Sequence, residues 1–102
     1  MTILHLVRSS AFSNDDLAQC INNVAHNDEI VLLDDGCYNL KHSLLLALIE
    51  HQPMINIHII KEHAQARALN TNELPLAQRL HCITMTDLVS LTFSSDSVVT
   101  WQ

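Results

Sequence analysis

Short runs of aliphatic residues alternate along this chain with stretches in which apolar residues recur every three or four positions. The short runs are typical of buried β-strands, and the helical spacing predicts amphipathic helices. Strands are predicted at residues 3–7, 30–33, 55–60, 80–83 and 98–101. Helices are predicted from Asp16 to Ala25, from about 39 to 51, at 62–69, and from Thr84 to about Phe93.

This alternation also predicts the fold class. Strand–helix–strand units of this length form right-handed βαβ crossovers, in which a helix covers the sheet between two parallel strands. Residues 30–33 are apolar at every position, which is typical of a central strand covered on both faces. We therefore expect one domain over residues 1–102, with three α/β/α layers around a five-stranded, mostly parallel sheet.

Local signals place the turns and helix ends. Ser13 with Asp16, and Thr84 with Asp87, have the spacing of a capping box at a helix start. Pro53 ends the second helix, while a polar turn at residues 70–73 and Pro75 follow the third. Gly36 is predicted to end the second strand in a turn at positive φ.

The second predicted helix carries six consecutive aliphatic residues, at positions 44–49. Such a run surrounds the helix and leaves no side for water. One side is expected to meet the sheet and the other a partner chain; the alternative is a helix buried by its own fold. The residues predicted to form the partner interface are Leu44, Leu45, Leu46 and Leu48.

Charge and composition exclude several function classes. The chain has five Lys and Arg against eleven Asp and Glu, for a net charge of −6. Because the cations are scattered singly, we expect no direct nucleic-acid binding. The apolar runs are far shorter than the ~20 residues that span a bilayer, and no signal peptide is apparent at the start. Three cysteines without a CxxC pair favour reduced thiols in a cytoplasmic protein.

Candidate chemistry is expected where parallel strands end, because ligands gather at the carboxyl edge of such sheets. Residues 8–12, 34–38 and 61–63 are predicted to meet there. A phospho-receiver site does not fit, since the acidic pair follows the second strand and no Lys follows the last. The single glycine excludes a glycine-rich phosphate loop, so we expect no nucleotide cofactor.

The histidines and cysteines are weighed separately. None of the seven histidines shows the HxxxH or HExxH spacing of metal ligands, so no metal site is expected. Cys20 lies in the apolar stripe of the first helix and is expected to be buried. Cys82 is expected to act as a small hydrophobe within its strand, and Cys37 to be partly exposed beside the sheet edge.

Several of these segments, taken in order, resemble the TusB/DsrH family of small sulfur-relay subunits. The resemblance rests on the first strand leading to Ser10 and Phe12, on Asp34-Asp35-Gly36, on Ala66-Arg67-Ala68-Leu69, on residues 87–92 and on Trp101. It covers nearly the whole chain. Two positions depart from the family pattern, because Ala11 replaces a proline and Ala68 replaces a glycine.

The resemblance implies a sulfur-carrier or non-catalytic subunit rather than a stand-alone enzyme. Its partners would be TusC/DsrF-like and TusD/DsrE-like subunits in a heterohexamer. Persulfide sulfur would pass through this complex to a downstream sulfur-carrier protein and end as the 2-thio group of the tRNA wobble uridine, with this chain largely structural. The alternative is a DsrH-type subunit of a sulfur-oxidation complex, in which Cys20 matches a family cysteine and is the candidate sulfur carrier. A stand-alone small-molecule binder is a further alternative.

Overall fold

The computed structural model describes residues 2–25, 27–69 and 80–101. Within them, the strands are β1 (Ile3–Val7), β2 (Glu29–Leu32), β3 (Asn56–Ile60), β4 (Leu80–Ile83) and β5 (Ser97–Trp101). The α-helices are α1 (Asp16–Asn23), α2 (Ser43–His51), α3 (Lys61–Ala66) and α4 (Met85–Ser94). A 3-10 helix, Asp34–Lys41, lies between β2 and α2. The polar turn and Pro75 of the sequence analysis fall outside the described residues.

The strands form one sheet in the order β4-β3-β2-β1-β5, and every pairing between them is parallel. The chain therefore moves in one direction from β1 to β4 and then returns past β1 to β5. A right-handed return connection places its helix on the opposite face of the sheet. The sheet that was predicted to be mostly parallel is thus entirely parallel in the described residues.

Two apolar clusters cover the two faces of the sheet. On one face, α1 and α2 pack Leu17 and Leu45 against alternate residues of the central strands, including Ile30 and Ile57. On the other face, α4 packs Leu88 against a second set that includes Val31. Ile30, Val31 and Leu32 are all fully buried, as expected for a strand that is covered on both sides. The predicted three-layer α/β/α architecture is confirmed.

The segment after β2 differs from its prediction. Gly36 does not have a positive φ, and the left-handed position is taken by Asp34, with φ 50°. Glycine is required at position 36 because a Cβ there would lie 2.0 Å from the carbonyl oxygen of Val7. The predicted helix 39–51 divides into the 3-10 helix and α2, and the ring of His42 caps α2 by accepting from Leu44 N–H at 3.1 Å.

The two predicted capping boxes have opposite outcomes. Thr84 and Asp87 form one at the start of α4, with both reciprocal hydrogen bonds present. Ser13 does not cap α1: position Asp15 precedes the helix without a side-chain cap, and Asp16 N–H is satisfied by Asn14 Oδ1 at 3.0 Å. Since Val24 is already extended, α1 also ends before Ala25.

Helix α3 ends earlier than predicted, in a left-handed turn. Ala68 has φ 56°, and Leu69 N–H donates to Ala64 O at 3.0 Å, which closes the helix end. This conformation favours glycine and costs an alanine about 1 kcal/mol. The family's glycine at this position, which Ala68 replaces, is therefore explained by the backbone.

The burial of α2 corrects part of the interface prediction. Leu45 and Leu48 are buried in the chain's own core, so they are not surface contacts in this structure. Leu44 and Leu46 are partly buried against the same core. The helix also has a side that faces water, formed by Ser43, Ala47, Glu50 and His51. A partner contact through α2 stays a prediction for Leu44 and Leu46.

Candidate functional site

Polar side chains from three segments meet at the carboxyl edge of the sheet. Arg8 follows β1, and its Nε donates to Asp34 Oδ2 after β2 at 2.8 Å. Asp34 N–H in turn donates to Nδ1 of His63 in α3 at 2.9 Å. The three stretches that the topology predicted to meet, at residues 8–12, 34–38 and 61–63, do come together.

The charged side chains at this edge pair mainly with one another. Arg67 Nε donates to Asp35 Oδ1 at 3.0 Å, beside the Arg8–Asp34 pair. Both guanidinium groups are thus balanced by a carboxylate of the Asp34-Asp35 pair. Because His63 Nδ1 accepts a hydrogen bond, the neutral ring carries its proton on Nε2. The arrangement can orient polar groups, but these residues supply no thiol or hydroxyl nucleophile.

A cleft of about 500 Å³ adjoins this cluster, which is within the range of small-molecule sites. Its walls include Ser10, Phe12, Tyr38, Lys41, Arg67 and Leu69. Phe12 packs edge-on against the ring of His42, with 4.7 Å between centroids. The cleft joins aromatic and aliphatic walls to the cation of Lys41 and to the Arg67–Asp35 ion pair, since Asp35 also lines it. Such a lining suits a small ligand with an apolar part and a polar group.

Cys20, the candidate sulfur carrier, lies on the inner side of α1. Its side chain is fully buried in the core that α1 shares with the sheet. Burial raises the pKa of this thiol to about 12, and the nearby negative charge of Asp28 acts in the same direction. Its burial was expected from the apolar stripe, and the helix start does not offset it.

The other two cysteines differ from their predictions. Cys37, expected to be partly exposed, is fully buried, and its Sγ lies 3.7 Å from the carbonyl oxygen of Leu32. Burial raises its pKa to about 11 even though the Arg67 charge acts to lower it. Cys82, expected to act as a small hydrophobe within its strand, is exposed on β4, which is an edge strand with a neighbour on one side only. Thiol chemistry in this conformation is therefore open only to Cys82.

One histidine, His5, belongs to a separate, buried polar network. His5 Nε2 lies 2.9 Å from Asp28 Oδ2, and His5 Nδ1 accepts from the indole of Trp101 at 3.1 Å. Asp28 also accepts from Ile3 N–H and Ala25 N–H. This network joins β1, β5 and the loop before β2. The sequence gives no spacing signal for it, because its members are far apart along the chain.

A pair of histidines lies on the face of the sheet opposite to that of His5. His58 and His81 are opposite each other on β3 and β4, with ring centroids 5.2 Å apart. His58 Nε2 lies 3.0 Å from Glu29 Oε1, and among the described residues no group bonds its buried Nδ1.

The described ranges contain no group of three His, Cys, Asp or Glu placed to hold a metal ion. In the same ranges, no helix is long and apolar enough to cross a membrane.

Comparisons with known proteins agree with this architecture. Residues 9–98 match the model of a protein family described as DsrH like protein. No curated protein matches the chain. The crystal structure of the ychN protein from E. coli is similar, with 18% sequence identity, a TM-score of 0.71, and coverage of 98% of this chain and 99% of that one. The solution NMR structure of protein Tm0979 from Thermotoga maritima is also similar, with 18% identity, a TM-score of 0.64, and coverage of 90% and 92%. At this identity the two structures show the fold alone.

Proposed function

This chain belongs to the DsrH-like family of subunits of multi-subunit sulfur-relay complexes, and we propose that its own role in such a complex is largely architectural. The proposed assembly is a cytoplasmic heterohexamer with TusC/DsrF-like and TusD/DsrE-like subunits. It passes persulfide sulfur to a downstream carrier protein, toward 2-thiolation of the tRNA wobble uridine. The cysteine that holds the persulfide belongs to the TusD-like subunit.

The burial of Cys20 carries this proposal. Sulfur transfer needs a thiolate that can reach the donor persulfide. Cys20 is 0% exposed and its pKa is raised to about 12. At neutral pH such a thiol is almost entirely protonated. Because this thiol is neither exposed nor ionised, the chain is better suited to an architectural role in the complex than to carrying sulfur itself.

The sulfur-oxidation role with Cys20 as carrier is the second candidate, and the shortness of α1 favours it. The helix has eight residues, and its N-cap residue Asp15 makes no side-chain hydrogen bond to it, although Asn14 Oδ1 accepts from Asp16 N–H. Short helices with few buried side chains open locally at lower free-energy cost than central strands, and α1 buries only Leu17 and Cys20 completely. Opening of α1 in the assembled complex would expose Cys20 to a donor.

A reconstituted relay tests both candidates. The complex with its TusC-like and TusD-like partners is loaded from a persulfide donor and supplied with the carrier, the thiolating enzyme and tRNA. Mass spectrometry then locates the sulfane sulfur on each subunit, and 2-thiouridine in the tRNA reports the end product. We expect the label on the TusD-like subunit, none on Cys20, and 2-thiouridine formation that requires this chain.

The matched variants are Cys20→Ser and Cys82→Ser, both assembled with the same partners. Equal yields of 2-thiouridine from the wild type and both variants support the architectural role. Label on Cys20, with sulfur flux lost in Cys20→Ser but not in Cys82→Ser, favours the carrier role. A relay that makes as much 2-thiouridine without this chain contradicts the proposed function.

A further inference from the structure

The cleft beside the carboxyl edge of the sheet brings together aromatic side chains that are rare elsewhere in the chain. Of the four aromatic residues in the sequence, Phe12 and Tyr38 both line this cleft. Phe12 is 67% exposed and Tyr38 is 38% exposed. Aromatic rings that line one concave site offer a large apolar area and can stack on a further ring. The cleft therefore favours a ligand with a flat, apolar part.

Two walls of the cleft are tied to each other by the chain's own hydrogen bonds. The fully buried Asn39 accepts from Ala11 N–H at 2.7 Å and donates to Ser9 O at 3.1 Å, so it fixes the loop after β1 on the 3-10 helix. The ring of His42, which caps α2, supports Phe12 edge-on. A cleft that is formed in advance costs a ligand little ordering of the protein.

The third wall, at the end of α3, is fixed as well. Arg67 Nε donates to Asp35 Oδ1 at 3.0 Å, and Arg67 Nη1 donates to His63 O at 3.2 Å. Leu69 N–H donates to Ala64 O, which closes the helix end beside the cleft. Arg67 is thus held as part of the wall, and its charge is balanced by Asp35.

The positive charge that the cleft offers to a ligand comes from Lys41. Its side chain lines the cleft and is exposed. Among the described residues, no carboxylate forms an ion pair with it. One ammonium group matches one negative charge on a ligand. A second negative charge would meet no further unpaired cation of the described lining, and the net charge of −6 would oppose it.

We infer that this cleft binds a small aromatic molecule that carries a single carboxylate. The rings of Phe12 and Tyr38 contact the aromatic part, and the ammonium of Lys41 pairs with the carboxylate. The cleft volume of about 500 Å³ accommodates such a molecule. The inference goes beyond the proposed function and does not depend on it, because this site uses no thiol and no partner subunit.

Titrations with naphthalene carboxylate and naphthalene carboxamide test the inference, because the two probes have the same shape and differ in charge. NMR amide shifts of the isotope-labelled full chain locate each probe, and the titration curves give the dissociation constants. We expect shifts at Phe12, Tyr38 and Leu69, with a dissociation constant for the carboxylate of about 1 mM or lower. The carboxamide should bind about threefold to fivefold more weakly, because it lacks the ion pair with Lys41.

Lys41→Gln and Phe12→Ala separate the charged and aromatic parts of the site, with Lys61→Gln and Phe93→Ala as matched controls at exposed positions outside its lining. We expect Lys41→Gln to weaken carboxylate binding about threefold to fivefold and to leave carboxamide binding unchanged. Phe12→Ala should weaken the binding of both probes about fivefold or more. Both controls should bind like the wild type. Circular dichroism checks that each variant folds, and if Phe12→Ala does not, the wild-type shifts and the lysine variants decide.

Each contrary outcome overturns a stated part of the inference. Shifts confined to α4, or binding that Phe93→Ala abolishes, would place the probes on exposed apolar side chains outside the cleft. Equal affinities for the two probes, or equal losses in Lys41→Gln and Lys61→Gln, would show that the cleft does not select a carboxylate. If neither probe shifts the cleft amides at about 5 mM, the site is wrong. All of these results leave the proposed function standing, since the relay assay uses neither probe.

Discussion

At Gly36 the chain leaves no room for a side chain, since a Cβ would lie 2.0 Å from Val7 O and 2.9 Å from Val7 C. Both are backbone atoms of β1, which pairing on both sides holds in place. Gly36→Ala must therefore displace the start of the 3-10 helix, and we expect a loss of about 3 kcal/mol in the free energy of unfolding. Urea denaturation measures it.

The neighbouring substitution Asp35→Ala serves as the control for Gly36→Ala. Asp35 is exposed, and its pair with Arg67 is worth under about 1 kcal/mol. Equal urea midpoints for Gly36→Ala and the wild type would contradict the close approach of Gly36 to the backbone of Val7.

The ionisation of Asp28 makes the free energy of unfolding depend on pH. Burial acts to raise its pKa, but hydrogen bonds from Ala25 N–H, His5 and Ile3 N–H together hold the pKa below its usual value. The stabilisation that this carboxylate provides is complete above its unfolded pKa, about 3.9, and is lost as the pH falls through the lower folded pKa. We therefore expect the free energy of unfolding to decrease below about pH 4.

In Asp28→Asn this part of the acid dependence should disappear, and the variant should be less stable at pH 7 because the charge-assisted bonds are gone. Urea unfolding between pH 2 and 7 provides the comparison. Glu50→Gln, at an exposed position on α2, controls for the loss of one negative charge. The assignment fails if Asp28→Asn keeps the acid dependence of the wild type.

For helices and strands, the sequence predicts the bounds of an element well where a single pattern, such as a run of aliphatic residues, dominates. Aliphatic runs mark strands that are buried on both faces, so β2 and β3 were predicted to within a residue or so. The division of residues 34–51 was not predictable. Apolar spacing of three fits a 3-10 helix as well as an α-helix, and the cap at His42 depends on ring orientation.

The candidate site shows the same division between topology and tertiary packing. Parallel topology alone predicted that residues after β1, β2 and β3 would meet, and Arg8, Asp34 and His63 do so. Thiol exposure was not predictable for Cys37 and Cys82. It depends on which strand lies at the edge and on how the 3-10 helix folds back, and neither is written in local composition.

For the whole molecule, the two faces of the sheet offer two separate surfaces. Leu44 and Leu46 lie on the α2 side, and the exposed side chains of Met85, Val89 and Phe93 on α4 lie on the other. In the proposed heterohexamer each subunit would contact more than one neighbour, which requires distinct contacts. Apolar side chains on opposite faces would meet that requirement without competing for the same partner.

The charge of the whole molecule leads to the last prediction, which concerns tRNA. Protein–RNA affinity of the non-specific kind comes from cations that replace counterions along the phosphate backbone. Here the net charge is −6, and Arg8 and Arg67 are each already paired with a carboxylate. We expect the isolated chain to bind bare tRNA no more tightly than about 1 μM at 50 mM salt, as fluorescence anisotropy can measure. The thiolating enzyme serves as the positive control on the same tRNA. A submicromolar affinity that falls steeply as salt rises would contradict this, because it requires a cationic track that the sequence does not supply. Within a relay, this chain would then act on tRNA only through the sulfur that its partners deliver.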